Sequence, residues 1–307
     1  MIFTFNISPD VKRAMSIPLP IVALESTVLT HGLPRPQNLQ LARDMERTVR
    51  ENGATPATVA FLDGSLHIGL TQPELERLAN EKDVHKVGPR DFATVMVEEA
   101  CGGTTVAGTM LACKHANLKV FATGGIGGVH REAPFDISAD LQALAAIPMI
   151  VVCAGAKAIL DLPATLEYLE TMSVPVVGYG TDEFPAFYSR DSGLDVNVNI
   201  ETPQEIVEFA QAHWSTGQQS AVLVTNPVPS LDAIPKSEME PYIEQANQEA
   251  HKNGIHGKEL TPFLLQRISE LTKGKSMRAN LSLLLNNARL AAQIASAFRT
   301  SEKRRQA

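Results

Sequence analysis

Two residues in this chain combine a reactive side chain with a setting that would sharpen it. Lys157 lies in MIVVCAGAKAILDL (149–162), where an apolar run passes through small residues, delivers one lysine and turns apolar again. A buried ammonium is costly unless paired or neutralised, so this lysine either snorkels to water or serves as a reactive amine. Gly155, Ala156 and Ala158 leave it sterically open while apolar neighbours desolvate it. Desolvation favours the neutral amine, a nucleophile toward carbonyl-like carbon. Glu25 ends a different apolar run, PIVAL (20–24). Burial favours its protonated form and suits it to exchange protons with a reacting group. The structural alternatives are a cap for Glu25 and an ion pair with Asp161, one helical turn on, for Lys157.

Further polar groups collect after other apolar runs. Gly124, Gly125, Gly127 and Gly128 form a turn whose bare amides could cradle a phosphate, or which simply needs positive φ. It is not a dinucleotide fingerprint, because a third glycine is missing and no helix follows directly. His130 comes next, and a lone histidine is more often structural than a ligand. In FDISAD, Asp136, Ser138 and Asp140 offer an oxygen-rich edge suited to Mg²⁺ or Mn²⁺, while Asp136 or Ser138 could instead cap the helix LQALAA. Neither an HExxH motif, a Cys/His cluster nor an EF-hand loop occurs.

The elements that must position these groups read as alternating strands and helices. Candidate strands are 20–24, 57–63, 118–123, 149–153, 174–179 and 221–225, several of them apolar without alternation, as strands covered on both faces should be. Asp63-Gly64 signals an antiparallel hairpin decorating the sheet. Thr71 with Glu74, and Thr202 with Pro203 and Glu205, predict capped helices; Thr261-Pro262 and Ser276 open two more, and 230–257 reads as a covering helix. The expected architecture is one layered α/β/α domain over 1–307 with a mainly parallel sheet, residues 1–15 and 300–307 being flexible tails. In such a sheet ligands bind beyond the carboxyl ends of the strands, where Glu25, the glycine turn and Lys157 all fall.

Composition narrows the function. Hydrophobic residues at 44% and charged residues at 20% describe an ordinary globular protein. A net charge of −7 argues against a nucleic-acid partner, and the basic run Lys303-Arg304-Arg305 reads as a solvated tail. No uncharged apolar stretch reaches the roughly 18 residues of a membrane span, and the amino terminus lacks signal-peptide order. Three scattered cysteines, Cys101 and Cys113 in helical patterns and Cys153 in an apolar run, suggest buried thiols in a cytoplasmic protein.

Taken together, ALEST (23–27), HGLPRPQN (31–38), FATGGIGGVHR (121–131), FDISADL (135–141), VVCAGAK (151–157), EFPAFYSRDSG (183–193), TNPVP (225–229) and LTPFLLQRISELTKGKS (260–276) carry a resemblance spanning about residues 20–298. The chain resembles the pseudouridine-5′-phosphate glycosidase family, also called indigoidine synthase A-like. The resemblance implies an enzyme, classed as a carbon–oxygen lyase, that cleaves the C–C glycosidic bond of pseudouridine 5′-phosphate to uracil and ribose 5-phosphate. By analogy Lys157 attacks C1′ and holds the opened sugar as an imine, and Glu25 is the proton donor. Lys86, Val106, Ser138, Ala139 and Asp140 match substrate-binding positions, with His130 and Asn287 in familiar segments, and Asp136 matches a Mn²⁺-binding aspartate. A homotrimer is also implied. A C-glycosyl synthase running in reverse, or a non-catalytic phosphosugar binder, would share the same pocket. The chain departs from the family's Lys-x-Ser-Arg-Arg-Asp at Gly88 and Pro89, and differs again at Glu98 and Gly180, which bears on phosphate and base preference.

Overall fold

The computed structural model describes residues 5–131 and 133–306. Apolar runs lacking alternation become strands covered on both faces, and the helical rhythms between them become the covering layers. The first third holds β1 (Phe5–Ile7), α1 (Pro9–Ser16), β2 (Ile21–Leu24), α2 (Gln37–Glu51), β3 (Thr55–Leu62), β4 (Ser65–Ile68), α3 (Gln72–Asn80), β5 (Val84–Val87), α4 (Phe92–Val97) and β6 (Cys101–Thr104). There follow α5 (Val106–Ala116), β7 (Val120–Ala122), β8 (Val129–His130), β9 (Ala133–Ile137), α6 (Ala139–Ala146), β10 (Ile150–Cys153), β11 (Leu160–Asp161) and α7 (Leu162–Thr171). The remainder is β12 (Val176–Tyr179), β13 (Val198–Ile200), α8 (Pro203–Ser215), β14 (Val222–Thr225), α9 (Lys236–Lys252), α10 (Leu260–Leu271) and α11 (Lys275–Gln306).

The main sheet runs β1-β4-β3-β2-β7-β10-β14-β12-β13. Along this order the pairs are parallel except β3–β4, the hairpin turned by Asp63 (φ 49°) and Gly64 (φ 72°), and off it β6 joins β3 antiparallel. The steps β2→α2→β3 and β13→α8→β14 travel one way along the sheet, whereas β7→α6→β10 and β10→α7→β12 travel the other. Right-handed crossovers therefore put α2 and α8 on one face and α6 and α7 on the opposite one. The long helix α11 packs between α2 and α8 across β2, β7 and β10, and α5 packs beside α6. This is the expected α/β/α layering with a mainly parallel sheet. A second, antiparallel sheet, β11-β8-β9, stands beside it.

The two capping boxes form as expected, with the Thr71 and Thr202 amides donating to Glu74 and Glu205 at 2.7 and 3.1 Å. Three expectations need correction. Residues 5–15, read as a tail, form β1, which pairs with β4 (Phe5↔Leu66), and α1, which buries Val11 and Ala14. At the other end α11 continues to Gln306; the side chains of the basic run lie outside the described residues. Cys101 opens a strand, not a helix: β6 reads Cys-Gly-Gly-Thr, and two glycines carry none of the side chains that mark a strand.

Candidate active site

The site begins where β2 stops. Its partner β3 runs on, and its freed edge is taken over by antiparallel β6 (Ala60↔Gly103), which in turn pairs with β5 (Lys86↔Gly103). Ser26 holds the junction: its hydroxyl donates to Val59 O at 2.6 Å and accepts from Thr104 N at 2.9 Å. This change of partner points Glu25, the residue before Ser26, into the same cleft as Lys86. Glu25 is half-buried, and the Thr123 hydroxyl, just beyond β7, donates to its carboxylate. Burial holds its carboxyl above the ordinary range and Asp140 adds to that, while Lys157, Thr123 and Lys86 pull the other way.

Lys157 stands beyond β10, on a loop woven into the glycine turn. Ala154 N donates to Gly124 O (2.8 Å), Ile126 N to Gly155 O (3.1 Å) and Lys157 N to Ile126 O (3.1 Å). Gly155 makes the bend: its φ is +84°, and a Cβ would sit 2.0 Å from Pro185 O. Phe187 follows with φ 62°, uncommon for a bulky residue, held by its amide to Ala154 O at 3.0 Å. The alternative partner of Lys157 is otherwise engaged, since Asp161 Oδ1 caps α7 at Ala164 N, 2.9 Å away.

The glycine turn differs from both of its readings. None of its four glycines has positive φ; they are required by close approach, a Cβ on Gly127 falling 2.2 Å from Ser138 Oγ. As a phosphate cradle it is largely filled by the protein itself. The amides of Ile126, Gly127 and Val129 donate to Gly155 O, Asp140 Oδ2 and Thr165 Oγ1.

The other candidates divide by location. His130 on β8 is in electrostatic reach of Lys157, Lys86 and Asp136; burial lowers its basicity, Asp136 opposes this and the lysines reinforce it. Asp136 is exposed on β9, beside Phe135, which is 97% exposed. Asp140 is a clamp, its second oxygen accepting from Ala107 N at 2.9 Å, so one carboxylate ties the start of α5 to the glycine turn. Ser138 caps α6, Ala139 opens that helix on the surface, and Val106 is buried as the first residue of α5 without lining the cleft. Asn287 on α11 is fully buried: its Nδ2 donates to Thr123 O at 2.8 Å and its Oδ1 accepts from Asn226 at 3.1 Å. Cys113 and Cys153 are thiols whose pKa burial has pushed up to about 12, which removes them as nucleophiles.

Glu25, Lys86 and Lys157 line one cleft of about 520 Å³, closed on its far side by α10 and α11. Among the walls that sequence reasoning missed are Thr27, His31, Phe187 and Asn280. Asn280 is 8% exposed and lines both this cleft and the space beside it. An amide that lines a cleft in this way is suited to pairing with a ligand's own amide edge. A larger space of about 1050 Å³ adjoins the cleft across His31, Gly32, Pro262, Leu265 and Asn280. Among the described residues no cluster of three or more His, Cys, Asp or Glu could hold a metal by itself.

Comparison with known proteins places this geometry. The model of the family described as indigoidine synthase A-like protein matches residues 10–297. A protein of Solibacter usitatus named pseudouridine-5′-phosphate glycosidase is 52% identical over 292 residues, covering 94% of this chain and 98% of its own. A relative of the same name from Caldanaerobacter subterraneus is 51% identical, covering 94% and 95%. Among solved structures, an indigoidine synthase A-like protein of Thermotoga maritima superposes with a TM-score of 0.87 at 35% identity, covering 96% of this chain and 97% of that one. The prealnumycin C-glycosynthase in complex with ribulose 5-phosphate does so with a TM-score of 0.90, also at 35% identity, covering 99% and 100%.

Proposed function

This chain belongs to the indigoidine synthase A-like family, and from that premise we propose that it is a pseudouridine-5′-phosphate glycosidase, releasing uracil and ribose 5-phosphate. The observation that carries the reading is the meeting of Glu25 and Lys157, from the ends of separate strands, in one cleft with a second lysine, Lys86. A C–C glycosidic bond offers no heteroatom leaving group, so acid catalysis of the ordinary glycosidase kind is insufficient. The amine of Lys157 bonds to C1′ as the C1′–O4′ bond breaks, and Glu25, whose carboxyl burial holds above the ordinary range, gives its proton to O4′. The Glu25 carboxylate takes a proton from the secondary ammonium formed at Lys157 and gives it to uracil C5, so the C1′–C5 electron pair returns to the base. The nitrogen lone pair forms the C1′ imine, which water hydrolyses to the aldehyde and the free lysine. Lys86 supplies a positive charge for the phosphate, and Asn280 an amide for the base.

Several finer readings rest on the family resemblance. Asp136 would hold a Mn²⁺ ion by its carboxylate, a donor that suits a hard cation. That ion would supply charge neutralisation of the phosphate. A homotrimer fits the exposure of Phe135 beside Asp136, and the enzyme is read as a cytoplasmic lyase. No helix among the described residues is long and apolar enough to cross a membrane. The likeness to a C-glycosynthase favours one second reading, in which the same residues join ribose 5-phosphate to another carbon nucleophile.

The test is incubation with pseudouridine 5′-phosphate and Mn²⁺, following uracil and ribose 5-phosphate. Borohydride added during turnover should fix a ribose phosphate on the peptide bearing Lys157, and Lys157→Arg should abolish turnover while the fold persists. Near-normal activity of that variant, or no adduct at Lys157, overturns the mechanism.

A further inference from the structure

The turn that carries Lys157 is held from a distance by one guanidinium. Lys157 O accepts from Leu160 N at 3.0 Å, closing a tight turn over 157–160. The two carbonyls inside and after it, Ala158 O and Leu160 O, accept from Arg131 Nη2 at 3.1 Å and Nε at 3.3 Å. The outer edge of the same guanidinium binds Glu240 of α9, Nη1 to Oε1 and Nη2 to Oε2 at 3.4 Å. All three nitrogens of Arg131 are therefore engaged, and a planar fork is needed to span two carbonyls and a carboxylate together; a lysine ammonium is a single point and cannot. The strand that begins there, β11, is two residues long and among the described residues pairs only with β8, so it fixes the turn weakly on its own.

We propose that Arg131, braced by Glu240, is a positioning residue for the amine of Lys157. Four rotatable bonds separate a lysine nitrogen from its backbone, so the direction of attack is only as defined as the root of the side chain. Glycine turn, Arg131 and β8 together define that root on both sides of Lys157. The inference rests on the proposed role of Lys157, and misplacement of a reacting group by about 1 Å can cost on the order of 100-fold in rate.

The experiment compares wild type with Arg131→Met, Arg131→Lys and Glu240→Gln. In Arg131→Met, kcat for pseudouridine 5′-phosphate should fall roughly 10- to 100-fold with KM held within about threefold. Arg131→Lys should not restore it, millimolar guanidinium should restore part of it, and Glu240→Gln should fall between. Hydrogen exchange at the Leu160 amide should quicken in Arg131→Met while the sheet strands keep their protection. A rise in KM at unchanged kcat, full activity in Arg131→Met, or unchanged exchange at Leu160 overturns the proposal. The exchange measurement needs no substrate, so absence of uracil release by wild type would sink the proposed reaction while leaving the positioning testable. If Arg131→Met fails to fold, Glu240→Gln carries the same kcat and exchange readouts.

Discussion

Glu25 binds its proton more tightly than it would in water, and the cost of doing so is measurable. Its carboxyl lies above the ordinary range because burial disfavours the anion. The folded state therefore binds that proton more tightly than the unfolded chain does. The stability this contributes is complete below the unfolded value and is lost as pH rises through the raised folded one. Glu25→Gln removes the charge but keeps the shape. Thermal unfolding should show the variant equal to wild type near pH 4 and more stable by ~1 kcal/mol near pH 8, while turnover drops by about 100-fold or more. A variant less stable than wild type at pH 8 would contradict this account of Glu25. Both Glu25 and Lys157 were legible in the sequence because each breaks an apolar run. His31 and Asn280 were not, because a polar residue in a helical stretch looks the same whether it faces water or a cavity.

Between elements, the contacts that matter are backbone ones supplied by side chains. Asp140 joins the first turn of α5 to the glycine turn, two segments that no ladder connects. The sequence suggested FDISAD as an oxygen-rich edge; it could not show that the aspartate inside it accepts two main-chain amides, because its partners lie 33 and 13 residues away. Asp140→Asn replaces one acceptor oxygen with a donor facing an N–H. Urea unfolding should report a loss of about 1–3 kcal/mol, with KM of the folded fraction little changed. A large rise in KM at full stability would instead make Asp140 a direct ligand. The strands themselves were within reach of pattern reading only where they are apolar; β6, with two glycines, and β8 and β11, of two residues each, carry too little pattern to be read.

Across the whole molecule, the cleft is assembled from residue 25 to residue 284, and α11 completes it. Asn287 reaches from that helix to the carbonyls of Thr123 and Gly124 and to Asn226, joining the ends of β7 and β14. Asn287→Leu should leave those groups unsatisfied and lower stability by roughly 2–3 kcal/mol in chemical denaturation, with kcat falling alongside; an unchanged midpoint would show the contact to be dispensable. The same feature governs how the protein is born. Because α11 covers β2, β7 and β10, a chain still short of residue 275 on the ribosome has its strands and the flanking α2 and α8 but leaves the strip of sheet between those helices uncovered. Contacts between segments so far apart close slowly, and an uncovered apolar face invites aggregation meanwhile. The strands that carry Glu25 and Lys157 are therefore among the last to be covered, although they lie early in the chain.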